Sequence, residues 1–336
     1  MPEQLVLTEP ERPVRPPATR RRVRSVEVLA AILLAALALR VVIGEVMGGT
    51  PVLQSWTTVF VSIAVQAVPF VVLGTLLSAA ITVFVPPSFF AKALPRHPVL
   101  AVPVAGAAGA VLPGCECASV PVAGALVRRG VTPAAALAFL LSAPAINPVV
   151  LVSTGVAFGG DLKMVGARLA ASLVTAVLMG WLWLRLGKED WLRLPRGHEH
   201  HEGGKFAGFL AAARHDMTQA GGFLAIGALT AATLNVTVPP EWLRAVADNP
   251  VLSVLALAGL AVILSICSEA DAFVAASLTE FSWTAKLAFL VVGPMIDIKL
   301  FAMQIGSFGR QFAFRFAPAT FVVAVLVSVA VGALLW

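Results

Sequence analysis

Nine apolar stretches, separated by Pro, Gly or charge, constrain this chain more than any other feature: 26–44, 57–84, 98–128, 133–157, 164–186, 207–236, 251–280, 284–305 and 316–336. A tilted helix needs about 20 apolar residues to cross a bilayer, and most of these stretches supply them. With 59% of 336 residues apolar, 12% charged and a mean hydropathy of +0.90, too little polar surface remains for a water-soluble domain. Trp56, Trp181, Trp183, Trp283 and Trp336 fall near stretch ends, where an amphipathic ring prefers the membrane interface. The expected fold is an all-α polytopic membrane protein in contact with lipid.

Charge predicts which side faces the cytoplasm. Arg12, Arg15, Arg20, Arg21, Arg22 and Arg24 crowd the tail before the first apolar run, within a formal net charge of +6. Such a tail marks the cytoplasmic side and not a nucleic-acid surface. Residues 1–25, rich in Pro and Arg, are expected to be disordered. The run at 26–44 outlasts a signal-peptide core and no small-residue cleavage site follows it, so it reads as a retained first transmembrane helix.

Two stretches are too long for one simple crossing, and each carries a polar cluster at its middle. The first, 98–128, contains Leu112-Pro113-Gly114-Cys115-Glu116-Cys117-Ala118-Ser119; the second, 251–280, contains Cys267-Ser268-Glu269-Ala270-Asp271. Lys92 and Arg96 precede the first and Arg128 and Arg129 end it, so a full crossing would place one basic pair outside. It would also export the loop carrying Arg185, Lys188, Arg193, Arg196 and Lys205. If both stretches are broken, re-entrant hairpins, about seven crossings remain, with the N-terminus cytoplasmic and the C-terminus outside.

The halves of the chain resemble each other. Gln66, Phe70, Gly74, Pro86 and Pro87 recur as Gln219, Phe223, Gly227, Pro239 and Pro240 at an offset of 153. Cys115 and Ala118 recur as Cys267 and Ala270 at 152, with Ser119 opposite Asp271; Phe139 and Pro144 recur as Phe289 and Pro294 at 150, with Asn147 opposite Asp297. Matches this dense mark an internal duplication: repeat 1 at 55–187, a cytoplasmic loop at 188–206 and repeat 2 at 207–336. Three crossings per copy invert one copy relative to the other. The hairpins then enter from opposite faces and their tips meet near the midplane, the plan of inverted-repeat transporters. Backbone opened by such breaks is tolerated in lipid only where it lines a cavity or packs on protein.

All three cysteines, Cys115, Cys117 and Cys267, fall at the expected tips, and an odd count rules out a full disulfide framework. Thiolates bind polarizable ions such as trivalent arsenic, monovalent copper or zinc. The positive end of a returning half-helix, with Ser119 or Asp271 as its N-cap, would favour them. Against this stands the common role of a membrane cysteine as a small, inert apolar residue. Glu116, Glu269 and Asp271, with Ser268 among them, are costly in lipid unless they face a cavity or a partner. They are candidates to bind solute or carry protons in an antiport cycle; if the tips reach only interface depth, water solvates them instead. Pro144 beside Asn147 and Pro294 beside Asp297 free backbone carbonyls that these side chains can complete into a polar site, or simply kink the helix with interhelical hydrogen bonds. Gln66 and Gln219 read as packing contacts and Arg214, His215 and Asp216 as an interfacial cluster. The tract His198, Glu199, His200, His201 and Glu202 reads as a solvated linker more readily than as a metal-catching segment. No phosphate-binding Gly-Lys motif, zinc-protease pair or Gly-x-Ser-x-Gly is present, so neither ATP drive nor hydrolysis has support, and nothing calls for a cofactor.

At Pro113-Gly114-Cys115-Glu116-Cys117, at the run from Ala138 through Asn147 to Pro148 and at Cys267-Ser268-Glu269-Ala270-Asp271-Ala272-Phe273, the chain resembles the predicted-permease family that includes ArsP-type organoarsenical exporters and YraQ-type permeases. The likeness covers roughly residues 55 to 336. It implies a bacterial inner-membrane permease, exporting trivalent organoarsenicals in some members and linked to copper or zinc efflux in others. Cys115, Cys117 and Cys267 stand at the family's cysteine positions, and Asn147, Glu269, Asp271 and Asp297 at its polar motif positions; Glu116 occupies a variable one, where an acid would alter selectivity. The reading is a secondary exporter of a small thiophilic solute, not an enzyme. Its rivals are a metal efflux permease, a membrane thiol-disulfide oxidoreductase and a subunit supporting another membrane protein.

Overall fold

Proline sets where many of the helices begin. Its fixed φ suits the first helical turn and its missing N–H is no loss there, and Pro98, Pro133, Pro148 and Pro250 each open a helix. The computed structural model describes residues 51–86, 89, 94–111, 116–192, 204–237 and 249–336. Within them lie α1 (Pro51–Phe84), α2 (Pro98–Ala108), α3 (Glu116–Arg128), α4 (Pro133–Ile146), α5 (Pro148–Ala157) and α6 (Leu162–Leu186). After one 3-10 turn at Glu189–Trp191 come α7 (Gly204–Thr237), α8 (Pro250–Leu264), α9 (Ser268–Ser277), α10 (Trp283–Met295), α11 (Ile298–Phe308) and α12 (Arg310–Leu335). The basic tail at 1–25, the first apolar run at 26–44, Cys115 and the His198 to Glu202 tract lie outside the described residues.

Five elements are long and apolar enough to cross a membrane: Pro51–Phe84, Pro133–Ala157, Leu162–Leu186, Trp283–Phe308 and Arg310–Leu335. α7 is 34 residues long but carries Lys205, Arg214 and Asp216 in its first half, which dilutes its apolar character. The expected single stretches at 133–157 and 284–305 are each two helices, interrupted at Asn147 and at Ile296 and Asp297. These interrupted elements form the centre, 78% and 83% buried over their apolar windows against 31–33% for α1, α6 and α12, whose remaining faces are apolar and suited to lipid.

The breaks expected near Cys115 and Cys267 are present. At 1.5 Å per residue, helices of 11, 13, 15 and 10 residues reach about 15–23 Å, short of the ~30 Å hydrocarbon core. α1 and α7 lie antiparallel: Trp56 Nε1 donates to Thr233 Oγ1 at 3.0 Å near one end, and Phe84 packs on Phe209 at the other. Trp181 Nε1, late in α6, donates to Val99 O at the start of α2, and Arg128 closes α3 against Asp216 of α7. Phe158, Trp283 and Trp336 gather in one cluster, with the Lys163 ammonium 5.3 Å from the Trp336 ring centroid.

Candidate substrate site

A charged side chain in the middle of an apolar bundle needs partners, because desolvation costs several kcal/mol per ion. Glu116, Arg168, Asp271, Asp297 and Lys299 are each at most 3% exposed, and they meet at the breaks. α3 begins at Glu116, so its carboxylate lies at the inner tip of the first hairpin. α9 begins at Ser268, whose Oγ donates to Glu116 Oε2 at 3.2 Å and joins the second hairpin to the first. α11 begins behind Asp297, which caps it by accepting from Leu300 N at 2.5 Å. At the second residue of α11, Lys299 Nζ lies 2.6 Å from Glu116 Oε1 and 3.1 Å from Asp297 Oδ2, and donates to Ser265 O at 2.7 Å and Ile266 O at 3.1 Å.

Arg168 of α6 reaches the knot from the other side. Nη1 donates to Thr154 Oγ1 at 2.7 Å and Nη2 to Ser268 O at 3.0 Å, and its charge acts on Asp271, Glu269 and Glu116 in that order. Asp271 Oδ2 is buried without a hydrogen-bond partner among the described residues, and it rests on bare backbone: a Cβ added to Gly293 would sit 2.5 Å from it. Glu116, Glu269, Asp271 and Asp297 thus outnumber the two cations Arg168 and Lys299. A fixed surplus of negative charge in lipid is stable only if protons or a bound cation offset it.

The thiols border this knot. Cys117 lies within electrostatic reach of Lys299, and Cys267 within reach of the Glu269 carboxylate. Both are buried and neither is in a disulfide, and among the described residues no three His, Cys, Asp or Glu side chains converge as a metal site needs. Because Cys115 is outside those residues, the full set of three thiols is not represented.

Ser119 and Asp271 do not act as the expected N-caps. Ser119 is in the first turn of α3 and its Oγ donates to Glu116 O at 2.8 Å; Asp271 is the fourth residue of α9, whose N-cap is Cys267, which makes no capping hydrogen bond through its side chain. The helices start about one turn earlier than the polar pattern implied. Capping falls instead to Asn147 and Asp297: Asn147 Oδ1 accepts from Val150 N at 3.0 Å and its amide donates to Ala143 O at 3.2 Å. Asn147 thus serves its own helix break, whereas Asp297 serves both a cap and the ion cluster.

Two glycines allow the approach. A Cβ at Gly74 of α1 would meet Ala118 Cα of α3 at 2.5 Å, and one at Gly227 of α7 would meet Lys299 Cα of α11 at 2.5 Å. The Gln219 amide of α7 donates to Gly306 O of α11, as its reading as a packing contact anticipated. Asp216 is more than interfacial: its Oδ2 accepts from Ser78 Oγ at 2.6 Å and lies 3.5 Å from Arg128 Nη2, tying α1, α3 and α7 together. Beside it a crevice lined by Gly124, Arg128, Asp216, Gln219 and Ser307 opens between α3, α7 and α11.

The sequence reading passed over Arg168 and gave Lys299 no role. Arg168 had a signal, a guanidinium away from the ends of a 25-residue apolar helix, which is a functional-site pointer by itself.

The chain matches the family described as predicted permease over residues 52–333. It is 38% identical over 268 residues to the UPF0718 protein YcgR of Bacillus subtilis (strain 168), covering 76% of this chain and 90% of that protein. It is 33% identical over 282 residues to the "Putative two-component membrane permease complex subunit" of Streptococcus mutans serotype c, covering 82% of this chain and 94% of that one. No solved structure matches it.

Proposed function

This chain belongs to the predicted permease family, a family of multi-pass membrane proteins, and we propose that it is a secondary exporter of a small thiophilic solute, a trivalent arsenical or organoarsenical before copper or zinc. The observation that carries this reading is the buried knot in which Glu116 of α3, Ser268 and Asp271 of α9 and Lys299 of α11 meet from three broken helices, with Cys117 and Cys267 on its border. A permease needs such a meeting of broken helices: it exposes helix ends and side chains to a solute, and moving one element against another changes which side the site faces.

The element order supports an inverted duplication of 55–187 and 207–336, since a long helix, two pairs of short helices and a second long helix occur twice in succession. In this reading both hairpins are re-entrant, the N-terminus is cytoplasmic and the protein lies in a bacterial inner membrane. The crevice at Arg128 and Asp216 is then the cytoplasmic approach to the knot. The carboxylate surplus takes up protons in exchange for solute. A relative described as a subunit of a two-component permease complex also favours a companion chain in the membrane.

Everted vesicles with an imposed proton gradient test the proposal. Uptake of a trivalent arsenical, Cu(I) or Zn(II) by wild type is expected to fall to the vector background in Cys117→Ser and Cys267→Ser, with Cys115→Ser as the third arm and protein abundance unchanged. Uptake that is the same in all three serine variants rejects the thiophilic site; uptake indifferent to the gradient rejects proton exchange.

A further inference from the structure

We propose that Lys299 is a tethered cation, its ammonium filling an oxygen-lined site for a monovalent cation where the two hairpin tips meet. Four oxygens surround Nζ: Glu116 Oε1 at 2.6 Å, Ser265 O at 2.7 Å, Asp297 Oδ2 at 3.1 Å and Ile266 O at 3.1 Å. They come from three separate segments, the start of α3, the end of α8 and the start of α11. A lysine held only for an ion pair needs one carboxylate. Here two backbone carbonyls at the open C-terminus of a broken helix complete the shell, the arrangement by which broken-helix transporters hold cations.

The backbone is bent to make this shell. Ser265 ends α8 in the left-handed region at φ 50°, the one non-glycine residue with positive φ among the described residues. That conformation is strained for a residue with a Cβ and persists where surroundings enforce it. Its Oγ accepts from Ile298 N at 3.1 Å, which fastens the end of α8 to the start of α11 while both carbonyls face Nζ. The negative end of the α8 dipole adds to the attraction. The contacts of 2.6–3.1 Å are those of a singly charged ammonium hydrogen-bonded to four oxygens. At an offset of 150, Lys299 stands opposite Val149, so the charge occupies one half of the chain only. The protein thus supplies its own counter-charge where an alkali ion would otherwise bind, and the assignment depends on the tips and not on which solute is carried.

Thermal unfolding of the purified full-length protein in detergent, in potassium, sodium or choline chloride at equal ionic strength, tests this. Wild-type Tm is expected to be the same in all three salts. Lys299→Ala is expected to be less stable in choline and to gain several degrees, saturably, with potassium or sodium. Adding Glu116→Gln is expected to abolish that gain. Lys299→Ala protein that is monodisperse only in an alkali salt counts in favour. A Lys299→Ala variant indifferent to the cation, one that folds in no salt, or a wild type with the same ion dependence overturns the assignment. Because the readout is stability, this outcome is separate from success or failure of solute export.

Discussion

Substituting Gly227 by Ala tests whether helix contact positions the charged knot. The added methyl carbon would lie 2.5 Å from Lys299 Cα, 3.0 Å from Lys299 Cβ and 3.3 Å from Lys299 O. Carbon atoms rest at about 3.5–4.0 Å, so α7 and α11 must separate by roughly 1 Å at this point. Overpacking of this kind costs about 1–3 kcal/mol. Gly→Ala in a helix interior returns up to about 1 kcal/mol of propensity, so the same change at Gly222 of α7, where nothing lies within 4 Å of an added Cβ, is the matched control. The difference between the two variants isolates the contact at about 1–3 kcal/mol. The expected result is a Tm several degrees lower for Gly227→Ala than for Gly222→Ala in one detergent and salt. The same displacement moves Lys299 away from Glu116, so transport in Gly227→Ala falls further than in the control. Equal Tm and equal transport in the two variants would refute close α7–α11 packing as the device that sets Lys299.

Two other outcomes follow from the knot. Arg168→Leu strands a buried carboxylate and removes the donors to Thr154 and Ser268, for a stability loss of about 3–5 kcal/mol, and Arg168→Lys recovers only part because a point charge cannot reach both acceptors at 2.7 and 3.0 Å; wild-type melting of Arg168→Leu would contradict it. Gly293→Ala pushes the Asp271 carboxylate aside at its flexible end, so membrane abundance is expected to stay near wild type while vesicle uptake drops on the order of tenfold or more; unchanged uptake would remove Asp271 from the transport site.

Many of the charged members of the candidate cluster were legible in the sequence, and for a consistent reason. Glu116, Asp271 and Asp297 stand out because lipid penalises charge, and a sequence shows every charge that interrupts an apolar run. The breaks near Cys115 and Cys267 were legible in stretch length. The exact first residue of each half-helix was not, because Ser119 and Asp271 look like caps whether a helix begins there or a turn earlier. Arg168 is less legible because it lies in α6, an unbroken apolar helix that reads as a simple crossing.

Local composition by itself determined that this chain forms long apolar helices with polar interruptions at stated places, since transfer to lipid and proline geometry act residue by residue. Which interruption faces which was decided only in three dimensions. Lys299 is two residues from Asp297 but 183 from Glu116, and its place between them depends on Gly227 admitting α11, on Ser265 turning left-handed and on Ser268 reaching across to the first hairpin. Those contacts join residues far apart along the chain, and their energy comes from packing shape and paired desolvated charge, neither of which a linear pattern encodes.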